Sequence, residues 1–222
     1  MATKNPKTAK NIADKIVDAY IDYVLTEQKE PASIYAFAKH LGIEESEFYQ
    51  YYNHFSDIES GVWKDAVNST IKSLKESAEF STYTAREKVL GFFYTFIEVL
   101  NKRRSFYVYS LGNNKMHFKT PEGIKMPIMD FAKEVIQEGL AGKELEERKF
   151  LSDRYHEAVW LNALFILKFW IEDKSQGFEK TDAAIEKSVN LMIELMGKSA
   201  LDSMLDLGKF LFQNGMKSPF KM

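Results

Sequence analysis

The chain has 222 residues, 45% of them hydrophobic, with 17 phenylalanines, no cysteine and a formal net charge of −2. That apolar content excludes a disordered chain, and the missing cysteines exclude disulfides, thiol catalysis and cysteine-bound metals. The longest uncharged apolar run, about 158–167, falls far short of the roughly 20 residues a bilayer demands.

The basic N-terminus, residues 1–15, runs into an amphipathic helix rather than a signal sequence, so a cytoplasmic protein of one large or two small domains is expected. Residues 1–60 carry six lysines, no arginine and ten acids.

Nearly every segment reads as helix. Residues 11–25 place Ile12, Ile16, Ala19, Tyr20, Tyr23 and Val24 on one face. After a loop at 27–31, Ser33 is placed to cap a helix burying Ile34, Phe37, Ala38 and Leu41, and Gly42 sits where that helix would end left-handed. A third short helix is expected to run to about Tyr52. Two short helices hinged at Leu41-Gly42-Ile43 outline a helix-turn-helix, whose second helix is built to enter a DNA major groove. Ser56-Asp57-Ile58-Glu59 reads as a capping box opening a helix through Val62, Val67, Ile71 and Leu74.

Thr84-Ala85-Arg86-Glu87 is a second such box, starting a helix with Val89, Phe93, Phe96 and Leu100 inward. An aromatic helix is expected over 103–111, and Thr120-Pro121 begins another that reaches Gly139. Long helices follow at about 145–174 and 181–197, and a last amphipathic stretch covers 201–214. No strands, repeats or low-complexity linkers are read. The fold expected is all-α: a three-helix domain over 1–56, then a connecting helix at about 57–79 leading into a larger helical bundle that completes 57–222.

With these helices placed, the N-terminal segment resembles the DNA-binding domain of the TetR family of transcriptional regulators. The resemblance rests on Phe37-Ala38-Lys39-His40-Leu41-Gly42-Ile43, then Phe48-Tyr49-Gln50-Tyr51-Tyr52, then Ile58 and Val62, and covers about 12–63. Beyond it the likeness is architectural: 160–170 and 183–196 resemble the two C-terminal helices that usually build a four-helix dimer interface in that family. The resemblance implies a homodimer, an N-terminal operator-binding domain and a C-terminal cavity for a small apolar or amphipathic effector. No cofactor is implied.

The candidate DNA contacts are Lys4, Lys7 and Lys10 as a mobile arm, with Ser33, Ser46, Glu47, Tyr49, Gln50, Tyr51, Asn53 and His54 around the reading helix. Gln50 has the two-pronged chemistry that pairs with adenine, and tyrosine hydroxyls bond phosphates. Other readings stay open beside these: a solvated terminus for the lysines, and core packing for Tyr49 and Tyr52. Candidate effector-pocket residues are Phe93, Phe96, Tyr107, Met126, Met129, Trp160 and Phe165, since flexible and aromatic side chains suit an adaptable cavity. The candidate dimer interface is Trp160, Phe169, Trp170, Leu191 and Leu195.

Where the family usually carries Ser or Thr at position 44 and Lys, Gly or Thr through 45–47, this chain has Glu44, Glu45, Ser46 and Glu47. Acids in a first turn complement the helix dipole, but they repel phosphates. Two readings follow: a regulator that reads operator DNA, or a lipid- or partner-binding protein that kept the fold and lost DNA recognition. Peripheral membrane contact through 201–214 belongs with the second. No metal-ligand spacing links His40, His54, His117 and His156. Glu146-Glu147 reads as a solvated helix face. No phosphate loop or nucleophile signature appears, so neither a metal site nor catalytic residues are expected.

Overall fold

The computed structural model describes residues 6–112, 120, 122–149, 151–197 and 209. Among them all regular structure is helical and no strand occurs. The chain gathers into two compact units, Met1–Glu76 with Thr95–Ile128, and Ser77–Tyr94 with Met129–Met222. The stretch 57–76 therefore sits in the first unit with the N-terminal helices.

In the first unit, α1 (Pro6–Glu27) buries Ile16, Tyr20 and Val24 completely, four residues apart on one face. Each such side chain contributes about 1.5–3 kcal/mol relative to exposure. The helix packs on α4 (Phe55–Lys75) and α6 (Arg104–Ser110). Between them, α2 (Ile34–Leu41) begins at Ser33, whose Oγ accepts the Ala36 N–H at 3.1 Å. It ends at Gly42, left-handed at φ +70°, and Ile43 N–H returns to Ala38 O at 3.0 Å. Two orphan carbonyls are satisfied this way, which is why the chain turns here.

Next, α3 (Glu45–Phe48) is shorter than the helix to Tyr52 that periodicity predicts. Gln50 N–H turns to Glu47 O at 3.3 Å, and Tyr51 and Tyr52 N–H both turn to Phe48 O at 3.0 and 3.1 Å. This is a tightened exit rather than another regular turn. The next donors, Asn53 and Asn-adjacent His54 N–H, go to Asp57 Oδ2, each at 2.9 Å. The cap of α4 is thus His54 with Asp57, not Ser56 with Glu59, because the helix starts at Phe55, before Ser56.

Phe48 is the hub of the first unit's aromatic core. Its ring lies 6.2 Å from Phe37, 5.8 Å from Phe55 and 6.0 Å from Tyr52. Each favourable ring pair adds about 0.5–1.5 kcal/mol beyond its buried area.

The second unit contains the first half of α5 (Ala85–Asn101), most of α7 (Lys125–Ala141), α8 (Tyr155–Glu172) and α9 (Glu179–Met196). Thr84 and Glu87 form the predicted box: Glu87 Oε2 accepts the Thr84 N–H at 2.8 Å, and Glu87 N–H donates to Thr84 Oγ1 at 3.2 Å. Phe92 stacks on Phe131 at 4.9 Å. Lys88, 6% exposed, pairs with Glu138 and lies 5.2 Å above the Phe80 ring.

Two predicted helices start late. Instead of opening at Pro121, which lies outside the described residues, α7 begins at Lys125, because Gly123 is left-handed at φ +84°. The predicted helix over 145–174 begins only at Tyr155, and Lys143 is left-handed at φ +59°. The intervening charged run is no solvated helix face. Glu146 N–H donates to Met196 O at 2.9 Å, and the Arg148 guanidinium donates to Leu195 O at 2.8 Å and Gly197 O at 2.6 Å. A loop arginine thereby satisfies carbonyls that end α9.

Candidate nucleic-acid interface and ligand pockets

The helix-turn-helix presents its polar face through α3 and the turn after it. Glu44, Ser46, Gln50, Asn53 and His54 are exposed, Tyr49 is 50% exposed, and Glu45, Glu47 and Tyr51 are half-buried. Ser33 uses its hydroxyl as the α2 cap, and the Asn53 and His54 backbones are held by Asp57. Lys4 and the side chains of Lys7 and Lys10 lie outside the described residues. Tyr35, which the sequence reading does not single out, is 60% exposed in the first turn of α2, beside the capped Ser33. Its place off the stripe of Ile34, Phe37 and Leu41 is the signal that marks it as outward-facing.

Beneath this surface the first unit is tied together by buried polar groups. Glu59 on α4, 8% exposed, accepts from Tyr20 Oη and Ser110 Oγ, each at 3.0 Å. Trp63 Nε1 donates in turn to Ser110 Oγ at 3.0 Å. Burial, reinforced by the Glu59 carboxylate, pushes the Tyr20 phenol far above its ordinary range.

The residues predicted to line one effector cavity have varied surroundings. Phe93 and Phe96 are fully packed and Trp160 is 8% exposed, whereas Met126 is 61% exposed and Met129 is half-buried. Tyr107 lines an open-sided pocket of 530 Å³ within the first unit. Phe165 lines a different feature in the second unit, a groove of 790 Å³ along α8 and α9 whose wall is almost wholly apolar. The predicted set thus contributes one residue to each of two openings.

That groove coincides with an apolar outer face. Leu161, Phe165, Leu191 and Leu195 are 64%, 47%, 58% and 45% exposed, and Phe169 is 36% exposed. Of the predicted interface residues, Phe169, Leu191 and Leu195 face outward. Trp160 and Trp170 turn inward, Trp170 with no exposed surface at all. The outward stripe of α8 runs through 161, 165 and 169, one residue away from the tryptophans.

Asp173 fixes how α9 begins. Its carboxylate accepts the Ser175 N–H and Oγ at 2.8 and 2.7 Å, and the Thr181 N–H and Oγ1 at 2.9 and 2.7 Å. Burial alone would raise this carboxyl; the hydrogen bonds from Ser175 and Thr181 overcome it and hold it far below the usual carboxylate range. Among the described residues no three His, Asp or Glu side chains converge to hold a metal ion. No helix among them is long and apolar enough to cross a membrane. The amphipathic stretch at 201–214 lies outside the described residues, apart from Lys209.

A family model described as tetracyclin repressor-like, C-terminal domain, matches residues 88–211. Among solved structures, the TetR transcriptional regulator from Nitrosomonas europaea ATCC 19718 has a similar fold. Its TM-score is 0.55 at 18% identity, with 82% of this chain and 97% of that chain covered. No curated protein matches the chain.

Proposed function

We propose that this chain, which belongs to the TetR family of tetracyclin repressor-like proteins, is a cytoplasmic transcriptional regulator that binds operator DNA as a homodimer and responds to a small apolar effector. The observation that carries this reading is the α2–Gly42–α3 turn. A side-chain cap at Ser33 and a left-handed glycine fix the angle between two short helices, leaving Tyr49 and Gln50 facing outward. Gln50 supplies base-edge hydrogen bonds, and Tyr35, Tyr49 and Lys39 supply phosphate contacts. Instead of the connecting helix expected at about 57–79, α4 (Phe55–Lys75) is the element that relays effector binding to the reading helices as a shift between two arrangements. Apolar side chains exposed on α8 and α9 support the dimer, because a contiguous apolar face on a monomer marks an association surface. No catalytic step is assigned to the chain.

A second reading has its own observation. Glu44 is exposed at the head of α3, with Glu45 and Glu47 in its first turn. Such a chain binds a lipid or protein partner and no longer reads DNA. Selection of genomic fragments with the purified full-length protein at moderate salt separates the two. Enrichment of a two-fold-related site, lost on Gln50→Ala, is the expected result. Failure to enrich any fragment at any salt overturns operator binding and leaves the second reading.

A further inference from the structure

We propose that residues 201–212 seat as an amphipathic helix in the 790 Å³ apolar groove along α8 and α9 of their own chain. Apart from Lys209 this segment lies outside the described residues. The seat does not rest on the DNA, effector or dimer readings above.

The groove carries a loose end. Asn162 lines it, and the amide nitrogen of Asn162 is buried with no hydrogen-bond partner among the described residues. Buried polar groups are rarely left so, and an orphan in an apolar wall marks the place of an acceptor that the surrounding residues do not supply. The wall around it is mostly leucine, phenylalanine and methionine, with small side chains at Ala158 and Ser188. The occupant that fits is an apolar body that comes close at the small residues and brings one acceptor.

The chain leaves α9 at the mouth of this groove. Leu195 and Met196 line it, and α9 stops at Gly197, whose backbone is extended. Arg148 donates to the Gly197 carbonyl at 2.6 Å and to Tyr155 Oη, at the start of α8, at 2.8 Å. Residues 198–200 join this fixed point to Leu201. Helix hairpins turn within about 2–5 residues, so that link is enough for the chain to fold back along the groove. Between Tyr155 and Phe165 the groove follows about 15 Å of α8, and a helix over 201–212 is about 18 Å long.

The segment's side chains match the groove. At helical spacing Leu201, Met204, Leu205, Gly208, Leu211 and Phe212 share one side, and Asp202, Asp206, Lys209 and Gln213 form a polar stripe beside it. Lys209 is helical and exposed, as that stripe requires. The match to the C-terminal domain runs to residue 211, so the stretch belongs to the same domain as α8 and α9. Folding back from Gly197 brings Gly208 level with Ser188 and Asn162. With no side chain at 208, the backbone approaches closely enough for a carbonyl to accept from the Asn162 amide, whose terminal torsion turns at low cost. Leu207 and Phe210, on the far side of such a helix, extend the apolar face offered to a second copy.

The chain has no cysteine, so an introduced pair reports the seat directly. Leu191→Cys with Leu205→Cys, in the full chain, places both thiols in the groove in this register. Glu186→Cys with Leu205→Cys moves one thiol to another exposed side of α9; Leu191 and Glu186 are both exposed, so each pair leaves the packing intact. With oxidised glutathione the first pair is expected to close an intrachain disulfide at least about tenfold faster than the second. Adding Gly208→Leu raises helix propensity and apolarity but sets a side chain against Ser188 and Asn162, and is expected to slow closure about fivefold. Equal rates for the two pairs, a disulfide found only between chains on non-reducing gels, or a rate unmoved by Gly208→Leu overturns the seat. An intrachain bond reads the same in a monomer as in a dimer, so failure of the dimer reading leaves this result unchanged.

Discussion

Tyr20 Oη stands 3.0 Å from Glu59 Oε1, so a phenol on the first helix donates into a carboxylate at the start of the connecting helix, inside an otherwise apolar core. Ser110 supplies the carboxylate's other oxygen, and Trp63 supplies Ser110. Three helices, α1, α4 and α6, are thereby keyed to one another by directional bonds rather than by apolar contact alone. Apolar surfaces slide at little cost, whereas a buried carboxylate stripped of a donor does not.

Tyr20→Phe tests that key. The ring remains and one donor is lost, so the variant is expected to be less stable by about 1–3 kcal/mol in urea unfolding. The phenol also has a pH signature. Its raised value in the fold means that its contribution is complete below the ordinary tyrosine value of about 10 and is lost as pH rises beyond it. Tyr107, pushed up to about 12, adds in the same direction. Stability of the parent should fall steeply above about pH 10, and Tyr20→Phe should show a shallower alkaline limb. Identical limbs would sink this assignment.

Gly42 and Gly123 are both left-handed, yet alanine should cost different amounts at the two. A Cβ on Gly42 meets nothing within 4 Å, so Gly42→Ala costs only the backbone strain, about 1–2 kcal/mol. A Cβ on Gly123 would lie 2.6 Å from the Ser60 carbonyl oxygen, a main-chain atom that cannot swing aside. Gly123→Ala should therefore cost about 1–3 kcal/mol more, in the range of an overpacked core. Equal losses on thermal unfolding would contradict the geometry.

The start of α9 should be acid-sensitive through Asp173. A carboxyl held low in the fold contributes stability that is whole above its unfolded value of about 4 and disappears as pH falls through the folded one. Asp173→Asn keeps the size of the side chain but not the charge that gathers the Ser175 and Thr181 donors. It should cost about 1–2 kcal/mol at neutral pH, as loss of a helix cap does. The difference from the parent should shrink below about pH 4, and a gap that stays constant to pH 2 would show that the charge is not what matters.

Much of the fold is legible in the sequence because its signals are local. Ser33, Gly42 and the Thr84–Glu87 box act on neighbours three or four residues away, and each does in the structure what its spacing predicts. The misread roles of Arg148 and Glu59 have nonlocal causes. Arg148 reads as part of a charged helix face because the α9 carbonyls that claim it lie some 47–49 residues away. Glu59 reads as a cap residue because Tyr20, 39 residues earlier, gives no local sign of needing an acceptor. The candidate sites were less legible still. An aromatic on an amphipathic helix is assigned to core or surface by about one residue of rotation, which separates Leu161, 64% exposed, from Trp160, 8% exposed.

That rotation makes the dimer reading testable by substitution. If α8 and α9 pair with their copies, the contact must run through Leu161, Phe165, Leu191 and Leu195 and not through Trp160 or Trp170. Leu161→Glu with Leu191→Glu places charges on positions already 64% and 58% exposed, so the fold of one chain should survive. In a dimer the same charges would be buried without partners, at several kcal/mol each. Sedimentation should show the parent as a dimer and the double variant as a folded monomer with an unchanged helical circular dichroism spectrum. A parent that sediments as a monomer at all accessible concentrations would remove the homodimer from the proposed function. A double variant that stays dimeric would move the interface off these two helices.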